Sequence, residues 1–422
     1  MTRSTTRLVT ALLVGVGGVV VAVVVGRAAP AVVAAPFLLA LAAGGIGGAP
    51  AAVRIRAGVA PSRVVEGDEV EVTVELAVSG RPAVVDVWLE LPTDLVPTDG
   101  TPGRVLALAA DERVTLAVAV RGDRWGPAAP VLVRARATDR LGLVSTSRAV
   151  TVPGPRVHPR PDRLRALVAP RTTRAVTGAH PSRQRGDGLV FADVRPFVPG
   201  DRARAVNWRA TARTGTPWVT ERHPDRAGDV VIFLDSFAAT GDDRDSTLRR
   251  AVDLAVTLAT RHLGATDRVG LVDLGGVFRW VRPTGGTAQL HRIVDALLDT
   301  ELVASSADKT VGVVPVRALP RAALVVALSP LLDPRGIAAL VDLRARGADL
   351  VVVEPSPLGH VRAGPGERGE LALRLWRLER SGVRDHLRGL GIAVVAWEPD
   401  TPAARVVDEL VGARVAVARW AR

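Results

Sequence analysis

The densest local pattern in this chain is Gly186-Asp-Gly-Leu-Val-Phe-Ala-Asp-Val-Arg-Pro-Phe-Val-Pro-Gly-Asp-Arg-Ala-Arg-Ala-Val-Asn-Trp-Arg-Ala-Thr-Ala-Arg213. Within it, Pro199-Gly200 predicts a turn, because proline and glycine supply the backbone angles that turns require. Asp201 is placed to cap a short helix that starts at Arg202, where its carboxylate would meet free N–H groups and the positive end of the helix dipole. The sequence before this stretch has the features of a membrane hairpin and a β-rich module, and the sequence after it alternates strands and helices.

The second half of the same stretch carries large and charged side chains. Arg209 and Arg213 are four residues apart and would share one face of a helix, as would Ala205 and Arg209. Trp208 is large enough to anchor a contact between two layers. Two interpretations are open: a buried seam between domains, or a recognition surface for a partner protein.

Two uncharged runs lie near the N-terminus, Leu8 to Gly26 and Ala28 to Val53. At a rise of about 1.5 Å per residue, the first run nearly crosses a hydrocarbon core of about 30 Å. The second run contains Pro30 and Pro36 and is a weaker helix. We predict that residues 1–54 form two transmembrane helices, at about residues 8–26 and 31–50.

The arginines around these runs predict their orientation. They lie at the N-terminus and after the second run, and Arg27 stands alone between the runs. By the positive-inside rule, both ends of the hairpin are cytoplasmic. The sequence thus predicts a multi-pass protein of the plasma membrane with cytoplasmic soluble domains. The alternative is a signal peptide cleaved near Ala28-Ala29-Pro30-Ala31, but a second apolar run directly after that site argues against it.

Residues 60–155 change to an alternation of apolar and polar residues with a period of two, which is typical of half-buried strands. The clearest strands are Val70–Leu76, Val84–Leu91, Arg113–Val120 and Val131–Ala137. Short strands separated by turns predict an antiparallel β-sandwich. Residues 156–185 follow as a basic linker rich in proline and arginine, which would be either a solvated connector or a strip attracted to anionic lipid.

Residues 229–422 alternate apolar strands with helical patterns. The predicted strands are Val230–Leu234, Arg268–Leu274, Ala323–Leu328, Leu350–Val353 and Ile392–Trp397. Continuous apolar strands with helices between them indicate a doubly wound, mostly parallel sheet covered on both faces. Phe278–Val281 predicts an antiparallel edge hairpin. Apolar residues at helical spacing predict the intervening helices, for example Leu371, Leu375 and Leu378.

The central stretch also resembles the signature of the bacterial "domain of unknown function fifty-eight" family. The residues that carry the resemblance are Arg195-Pro-Phe-Val-Pro-Gly-Asp201, Arg204, Asn207-Trp208, Ala212-Arg213 and Val219–Glu221, within a signature segment 186–225. Phe197, Val206 and Thr211 stand where the family usually has Tyr, Ile and Ser. The resemblance implies that residues 229–422 form a von Willebrand factor A-like domain, and that the partner is a MoxR-type AAA+ ATPase. It also makes Arg195, Gly200, Asp201, Arg204, Asn207, Trp208, Arg209 and Arg213 the candidate partner-binding residues.

Domains of the von Willebrand factor A type usually hold magnesium through a D-x-S-x-S motif at the end of the first strand. The motif here is Asp235-Ser236-Phe237-Ala238-Ala239, in which Phe237 and Ala239 occupy the two hydroxyl positions. Since Mg²⁺ needs several oxygen ligands in near-octahedral geometry, we expect the metal site to be degenerate. The residual candidates for a metal site are Asp235, Asp273 and Thr284, and the expected role of Asp235 is to cap loop N–H groups.

The composition excludes cysteine chemistry and gives little support to nucleic-acid binding. The 422-residue chain has no cysteine, which removes disulfides, thiolate nucleophiles and cysteine zinc sites. Its formal net charge of +12 comes from arginines spread through all modules without interleaved aromatics, so nucleic-acid binding is not expected. The sequence shows no glycine-rich phosphate loop, no nucleophile in a recognised spacing beside Asp235 and Asp273, and no close histidine pair.

These patterns favour a membrane-anchored, non-catalytic scaffold or adaptor. Its order would be a transmembrane α-hairpin, an all-β antiparallel sandwich and an α/β von Willebrand factor A-like domain, with the lipid bilayer and a MoxR-type ATPase as partners. The alternative is a metal-dependent envelope enzyme or adhesion module that uses Asp235 and Asp273.

Overall fold

The structure is a computed structural model that describes residues 2–46, 51–98, 100–171, 173–174, 180–181, 190–199, 201, 203–223, 225–242, 245–275, 278–300, 319–320 and 322–420. The chain divides into two compact units, Met1–Pro159 and Arg160–Arg422. Each unit is described by itself.

Unit 1 contains two helices and twelve strands among its described residues. The helices are α1 (Thr6–Val25) and α2 (Ala29–Ile46). The strands are β1 (Thr2–Ser4), β2 (Ala52–Ala60), β3 (Arg63–Val65), β4 (Glu69–Ser79), β5 (Ala83–Glu90), β6 (Leu95–Pro97), β7 (Gly103–Leu108), β8 (Arg113–Gly122), β9 (Gly126–Pro127), β10 (Val131–Asp139), β11 (Val144–Val152) and β12 (Arg156–His158).

The two helices pack against each other through small residues. A Cβ added at Gly18 would lie 2.7 Å from the Cβ of Ala34, and one added at Gly15 would lie 3.0 Å from Leu38 Cδ2. The missing side chains therefore let the two helix backbones approach closely. Within the described residues, α1 is the one helix long and apolar enough to cross a membrane, and the apolar part of α2, Ala29–Gly44, is shorter. Of the two predicted spans, the first is thus supported.

Two antiparallel sheets form the rest of unit 1. One has the order β1-β11-β10-β5-β7 and the other β2-β4-β8-β6, with a small third sheet β3-β12-β9 beside them. In β4, Val70, Val72 and Val74 are buried while Glu71 and Glu75 are exposed, because successive side chains of a strand point to opposite faces. The inward valines, leucines and alanines of both main sheets form one core. The antiparallel β-rich module is confirmed.

Unit 2 contains ten strands and six α-helices among its described residues. The strands are β13 (Thr173–Arg174), β14 (His180–Pro181), β15 (Val190–Pro196), β16 (Trp218–His223), β17 (Asp225–Asp235), β18 (Arg268–Leu274), β19 (Arg279–Thr284), β20 (Leu324–Leu328), β21 (Asp349–Pro355) and β22 (Ala393–Trp397). The helices are α3 (Trp208–Thr214), α4 (Thr247–Gly264), α5 (Thr287–Leu298), α6 (Pro334–Ala345), α7 (Gly366–Gly389) and α8 (Ala403–Trp420).

The main sheet of unit 2 has the order β19-β18-β17-β20-β21-β22. All neighbouring pairs are parallel except β18 and the edge strand β19, which are antiparallel. The chain passes from β17 to β18 on one side and later returns to β20 on the other side of β17. The strand order therefore reverses between β17 and β20, and ligands of open α/β sheets bind outside the carboxyl ends of the strands at such a point. The predicted mixed α/β sheet and its antiparallel edge are confirmed.

Two features differ from the sequence-based expectations. The stretch predicted as a linker contains β12, β13 and β14, and its Val168 is buried. Helix α7 is present, but Leu371, Leu375 and Leu378 are 57%, 58% and 69% exposed, so their stripe faces away from the core. Instead α7 buries Arg380 and Leu387. An apolar stripe at helical spacing thus indicates a helix without fixing what that stripe contacts.

Candidate functional sites

The signature segment folds as a β-hairpin whose connection is held by an ion pair. Strands β15 and β16 are antiparallel. The Arg195 guanidinium donates from Nη1 to Asp201 Oδ2 and from Nη2 to Asp201 Oδ1, both at 2.7 Å. The N–H of Val198 donates to the same Oδ2 at 2.8 Å. The Arg195 hydrogen bond and the Val198 N–H lower the pKa of Asp201 to about 2. This arrangement closes the loop that follows β15.

A different residue from the one we predicted caps helix α3. The helix begins at Trp208, and Asn207 Oδ1 accepts the N–H of Ala210 at 3.0 Å. The other end of the same amide, Nδ2, donates to Thr220 Oγ1 at 3.0 Å. A short 3-10 helix, Ala203–Ala205, follows Asp201 close to the predicted position. The described hydrogen bonds to the Asp201 carboxylate come from Arg195 and the Val198 N–H instead of from that helix, so the predicted capping role is not the one Asp201 has. Asn207 instead joins α3 to β16, and capping by asparagine is typical.

Helix α3 presents an exposed aromatic and cationic surface. Trp208 is 73% exposed. Arg209 and Arg213 are exposed as well, and in the part of the chain that the structure describes neither forms an ion pair. A shallow groove of about 350 Å³ lies beside them and is lined by Val194, Asn207, Arg209, Ala210, Arg213, Thr214 and Trp218. We call Trp208, Arg209, Arg213 and this groove the Trp208 surface. Gly200 and the Arg204 side chain lie outside the described residues.

A second candidate site lies at the carboxyl ends of the central strands. Asp235, the last residue of β17, is 1% exposed. Its Oδ2 accepts a 2.5 Å hydrogen bond from Ser329 Oγ, and its Oδ1 accepts the N–H of Phe237 at 3.2 Å. Burial raises the pKa of Asp235 to about 6, while these two hydrogen bonds oppose the rise. Asp235 and Ser329 follow the two strands between which the strand order reverses.

Asp273 on β18 has a similar environment. Its Oδ1 accepts a hydrogen bond of 2.5 Å from Ser236 Oγ, and its Oδ2 accepts one of 2.9 Å from Thr300 Oγ1. The Nη1 of Arg279 lies 3.5 Å from the same Oδ2. Burial raises the pKa of Asp273, and the hydroxyl donors and Arg279 oppose that shift. We call Asp235, Ser236, Asp273, Thr300 and Ser329 the strand-end cluster.

Two glycines show how tightly this cluster is covered. A Cβ added at Gly336, in the first turn of α6, would lie 2.2 Å from Asp235 Oδ2. A Cβ added at Gly275 would lie 2.0 Å from Ser236 Oγ. The start of α6 therefore packs directly on the Asp235 carboxylate. Outside it, the Arg335 guanidinium lies 4.5 Å from the ring centre of Phe237 and donates from Nη2 to Asp333 Oδ2 at 2.8 Å.

Thr284 does not belong to this cluster. It ends β19 and pairs with Val269 near the start of β18, whereas Asp273 pairs with Arg279 at the other end. The expectation that Thr284 supplies a hydroxyl beside Asp235 and Asp273 is therefore wrong, because β19 runs antiparallel. Thr300, which follows α5, supplies the hydroxyl instead. No sequence signal distinguished Thr300 from the other threonines.

The next strand also ends in a buried charged group that sequence reasoning missed. Glu354 of β21 is 0% exposed, and its carboxylate pairs with Arg380 and Arg384 of α7. Arg380 also donates to the backbone oxygens of Pro330 and Leu331. An arginine within the apolar pattern of α7 was the available signal, since buried arginines are nearly always paired.

Oxygen atoms at the strand ends are the type of ligand that hard cations bind. Within the described residues, no three histidine, cysteine, aspartate or glutamate side chains group closely enough to hold a metal ion. Ser329 and the start of α6 occupy the space next to the Asp235 carboxylate. The strand-end cluster is thus built as a closed hydrogen-bonded network.

Comparison with known proteins identifies part of this unit. Residues 193–357 match the profile of the family described as "Protein of unknown function DUF58". No curated protein matches the chain.

Among solved structures, the chain is similar to an alpha-2-macroglobulin mutant from Salmonella, with 19% identity, a TM-score of 0.20, and coverage of 26% of this chain and 7% of that one. A FixG-related protein from Vibrio parahaemolyticus is 14% identical with a TM-score of 0.17, covering 25% of this chain and 98% of that one. The cupredoxin domain of amoB from Nitrosocaldus yellowstonii is 13% identical with a TM-score of 0.17, covering 26% and 92%. At these TM-scores the likenesses carry no argument about fold or function.

Proposed function

We propose, on the premise that residues 193–357 match the DUF58 family model, that this protein is a membrane-anchored, non-catalytic scaffold whose Trp208 surface binds a partner protein. The partner class that the family resemblance suggests is a MoxR-type AAA+ ATPase. The observation that carries the proposal is the 73% exposure of Trp208 beside two arginines.

Exposed tryptophan next to arginine has the composition of a binding hot spot. Tryptophan and arginine are enriched among the few residues that carry most of the binding energy of an interface. Trp208 offers a large apolar surface to a partner, and Arg209 and Arg213 offer charge-assisted hydrogen bonds to carboxylates. The groove beside them could receive a side chain of the partner. An acidic, partly apolar surface on the ATPase would complement it.

The surface is also held in a defined geometry, which lowers the entropy cost of binding. Asn207 caps α3 and bonds Thr220 of β16. Thr211 Oγ1 accepts the N–H of Trp218 at 3.0 Å. The Arg195–Asp201 pair closes the loop before α3. In this proposal the residues around Trp208 position it and do not themselves need to touch the partner.

Membrane attachment through both helices is the second part of the proposal. The segment before α1 forms β1, which pairs with β11, and α2 leads into β2 of the other main sheet. Both ends of the helical pair therefore return to the same β-rich module. This connection supports a hairpin that enters and leaves the bilayer on one side, and we propose that this side is the cytoplasm because of the flanking arginines.

For the α/β region we propose a von Willebrand factor A-type fold. Its central parallel strands, the antiparallel edge strand β19 and the aspartate that ends β17 support this assignment. In this proposal the strand-end cluster has a structural role in place of a metal site. The Trp208 surface is the part that binds a partner.

A binding measurement tests the scaffold proposal. The full chain in lipid nanodiscs is immobilised, and a purified MoxR-type ATPase of the same cell is titrated over it. We expect the Trp208→Ala, Arg213→Ala double variant to lose at least about 2 kcal/mol of binding free energy, or about thirtyfold in affinity. Asp235→Ala should bind like the wild type if it folds.

A matched control uses another exposed apolar and cationic pair. The Leu371→Ala, Arg374→Ala variant removes residues of the same types from α7, where both are exposed. It should leave the affinity unchanged. Equal affinity of the Trp208, Arg213 variant and the wild type would remove the Trp208 surface from the proposal. Circular dichroism checks that each variant retains its fold.

The rival proposal is a metal-dependent envelope enzyme or adhesion module that uses Asp235 and Asp273. The observation in its favour is that both aspartates lie at the carboxyl edge of the sheet among hydroxyl groups. Metal titration, described in the Discussion, separates the two proposals.

A further inference from the structure

A second pocket lies at the opposite, amino-terminal edge of the main sheet of unit 2. Its volume is about 680 Å³, within the range of roughly 300–1,000 Å³ that small-molecule sites occupy. The walls come from the starts of β21 and β22, the end of α7 and the last turns of α8. Neither the Trp208 surface nor the strand-end cluster contributes a residue to it.

The charge of this pocket is strongly asymmetric. Four arginines line it, with a single carboxylate: Arg171, Arg344, Arg388, Arg414 and Asp349. Asp349 is already paired, because Arg414 donates to its Oδ2 and Arg171 Nε lies 3.5 Å from its Oδ1. Burial lowers the pKa of Arg414, Asp349 opposes that shift, and the nearby Arg171 adds to it. Asp385, outside the lining, pairs with Arg388, so the four arginines still exceed the two carboxylates that contact them.

Two of the arginines are positioned by backbone atoms. Arg344 Nε donates to the carbonyl oxygen of Leu390 at 2.9 Å, a bond that does not use its terminal nitrogens. Arg388 Nη2 donates to the carbonyl oxygen of Val394 at 3.2 Å, and its Nη1 donates to Asp385 at 3.1 Å. Gly391 has φ of +77°, and a Cβ there would lie 3.0 Å from Arg344 Nη2. A glycine at this turn therefore leaves room for the guanidinium.

The remaining walls are apolar. They are formed by Leu350, Ile392 and Val394 of the sheet edge and by Ala413, Ala416 and Val417 of α8. Arginine presents a planar set of N–H donors that matches carboxylate and phosphate oxygens. A cationic rim over an apolar wall suits a ligand with one charged end and one apolar end.

We propose that this pocket binds a small anionic amphiphile, a ligand with a carboxylate or phosphate head and an apolar body. Arg344 and Arg388 contact the head, and the small side chains on α8 leave space for the body. Binding here does not depend on the scaffold proposal, because it uses a different edge of the sheet.

Calorimetric titration of the full chain in nanodiscs of zwitterionic lipid tests this site, with empty nanodiscs as the blank. The probe is hexyl phosphate, and inorganic phosphate and hexanol carry its head and its body separately. We expect saturable binding of hexyl phosphate that weakens with salt, and binding at least about tenfold weaker for each half probe. Equal binding of hexanol would show that the arginines are not used, and equal binding of inorganic phosphate would show that the apolar wall is not used. Either result, or no saturable binding, overturns the proposal.

Matched variants locate the site. Arg344→Gln with Arg388→Gln should weaken hexyl phosphate binding by about tenfold or more, whereas Arg405→Gln, which removes an exposed arginine of α8 outside the pocket, should not. Ala416→Phe should fill the cavity and abolish binding, whereas Val415→Phe on the neighbouring exposed position should not. Wild-type affinity in both pocket variants overturns the assignment. A thermal unfolding scan of each variant separates loss of binding from loss of fold.

Discussion

The Ser329 hydroxyl donates a 2.5 Å hydrogen bond to Asp235 Oδ2 and so joins the carboxyl ends of β17 and β20. This bond lies where the strand order of the sheet reverses, a position at which many α/β proteins leave a crevice for a ligand. Here Gly336 of α6 approaches the same carboxylate so closely that no side chain fits between them. Ser329 and the start of α6 thus occupy the position at the carboxyl ends of β17 and β20 where such a crevice would lie.

The first prediction concerns the pH dependence that this buried carboxylate creates. The pKa of Asp235 is raised from 3.8 to about 6, so the folded state binds this proton more tightly than the unfolded state does. The free energy of unfolding should therefore fall as the pH rises from about 4 to about 6, by about 3 kcal/mol from this group. Asp235→Asn keeps an acceptor for Ser329 and should make this slope smaller, while the part from Asp273, whose pKa is also raised, stays.

Thermal unfolding midpoints between pH 4 and pH 8 test this expectation. Asp385→Asn is the control, since the Asp385 side chain is 69% exposed on α7, and it should keep the wild-type slope. An unchanged slope in Asp235→Asn would contradict the assignment of the buried proton.

The second prediction is that the strand-end cluster does not take up a divalent cation. Mg²⁺ needs about six oxygen ligands at about 2.0–2.1 Å, and the space beside Asp235 is occupied by Ser329 and the start of α6. Calorimetric titration with Mg²⁺ or Mn²⁺ should show no saturable heat. Tight binding that disappears in Asp235→Ala would favour the enzyme or adhesion module over the scaffold.

The third prediction concerns the loop held by Arg195 and Asp201. Because the pKa of Asp201 is lowered to about 2, its contribution is complete above about pH 4 and is lost as the pH falls through about 2. At neutral pH, Arg195→Gln should speed amide exchange at Phe197 and Val198 without changing the thermal midpoint, since the pair is partly exposed. Hydrogen exchange with mass spectrometry measures this. Arg209→Gln is the control, and equal exchange in both variants would show that the pair does not order the loop.

The fourth prediction concerns the buried Glu354–Arg380 pair. Arg380→Met would leave the Glu354 carboxylate with Arg384 alone, at 3.3 Å, and removing one partner of a buried pair costs about 3–5 kcal/mol. The thermal midpoint should fall by several degrees. Arg377→Met, an exposed position on the same helix, should change it little. If both variants unfold alike, the buried pair adds nothing to stability.

The helices and strands of this protein could be predicted from its sequence because the spacing of apolar residues along the chain indicates which side chains are buried. Valine at every second position indicated β4, and continuous apolar runs indicated the parallel strands of unit 2. One start signal was missed: Asp333-Pro334 opens α6, with the aspartate accepting the Arg335 N–H at 2.8 Å, which is the usual arrangement of a cap followed by proline.

The hydrogen-bond and ion-pair partners of the polar side chains could not be predicted, because they depend on which ends of the helices and strands lie next to each other in the fold. Asp201 met Arg195 across a loop and was therefore not free to cap a helix. Because the edge strand β19 is antiparallel, Thr284 lies at the opposite end of β18 from Asp273. Thr300 donates the hydrogen bond to Asp273 instead. The exposure of Trp208 depends on what packs against α3, and no local pattern reports this.

The pairing of β1 with β11 also bears on how the chain is assembled. Thr2 faces Thr146 in that ladder, so β1 can pair only after β11, which lies far along the chain, has been synthesised. During synthesis, α1 and α2 are complete long before this ladder can close. The ladder between β1 and β11 therefore joins residues on either side of the helical pair and most of the sheet strands, so it can close only after the chain between them has been made.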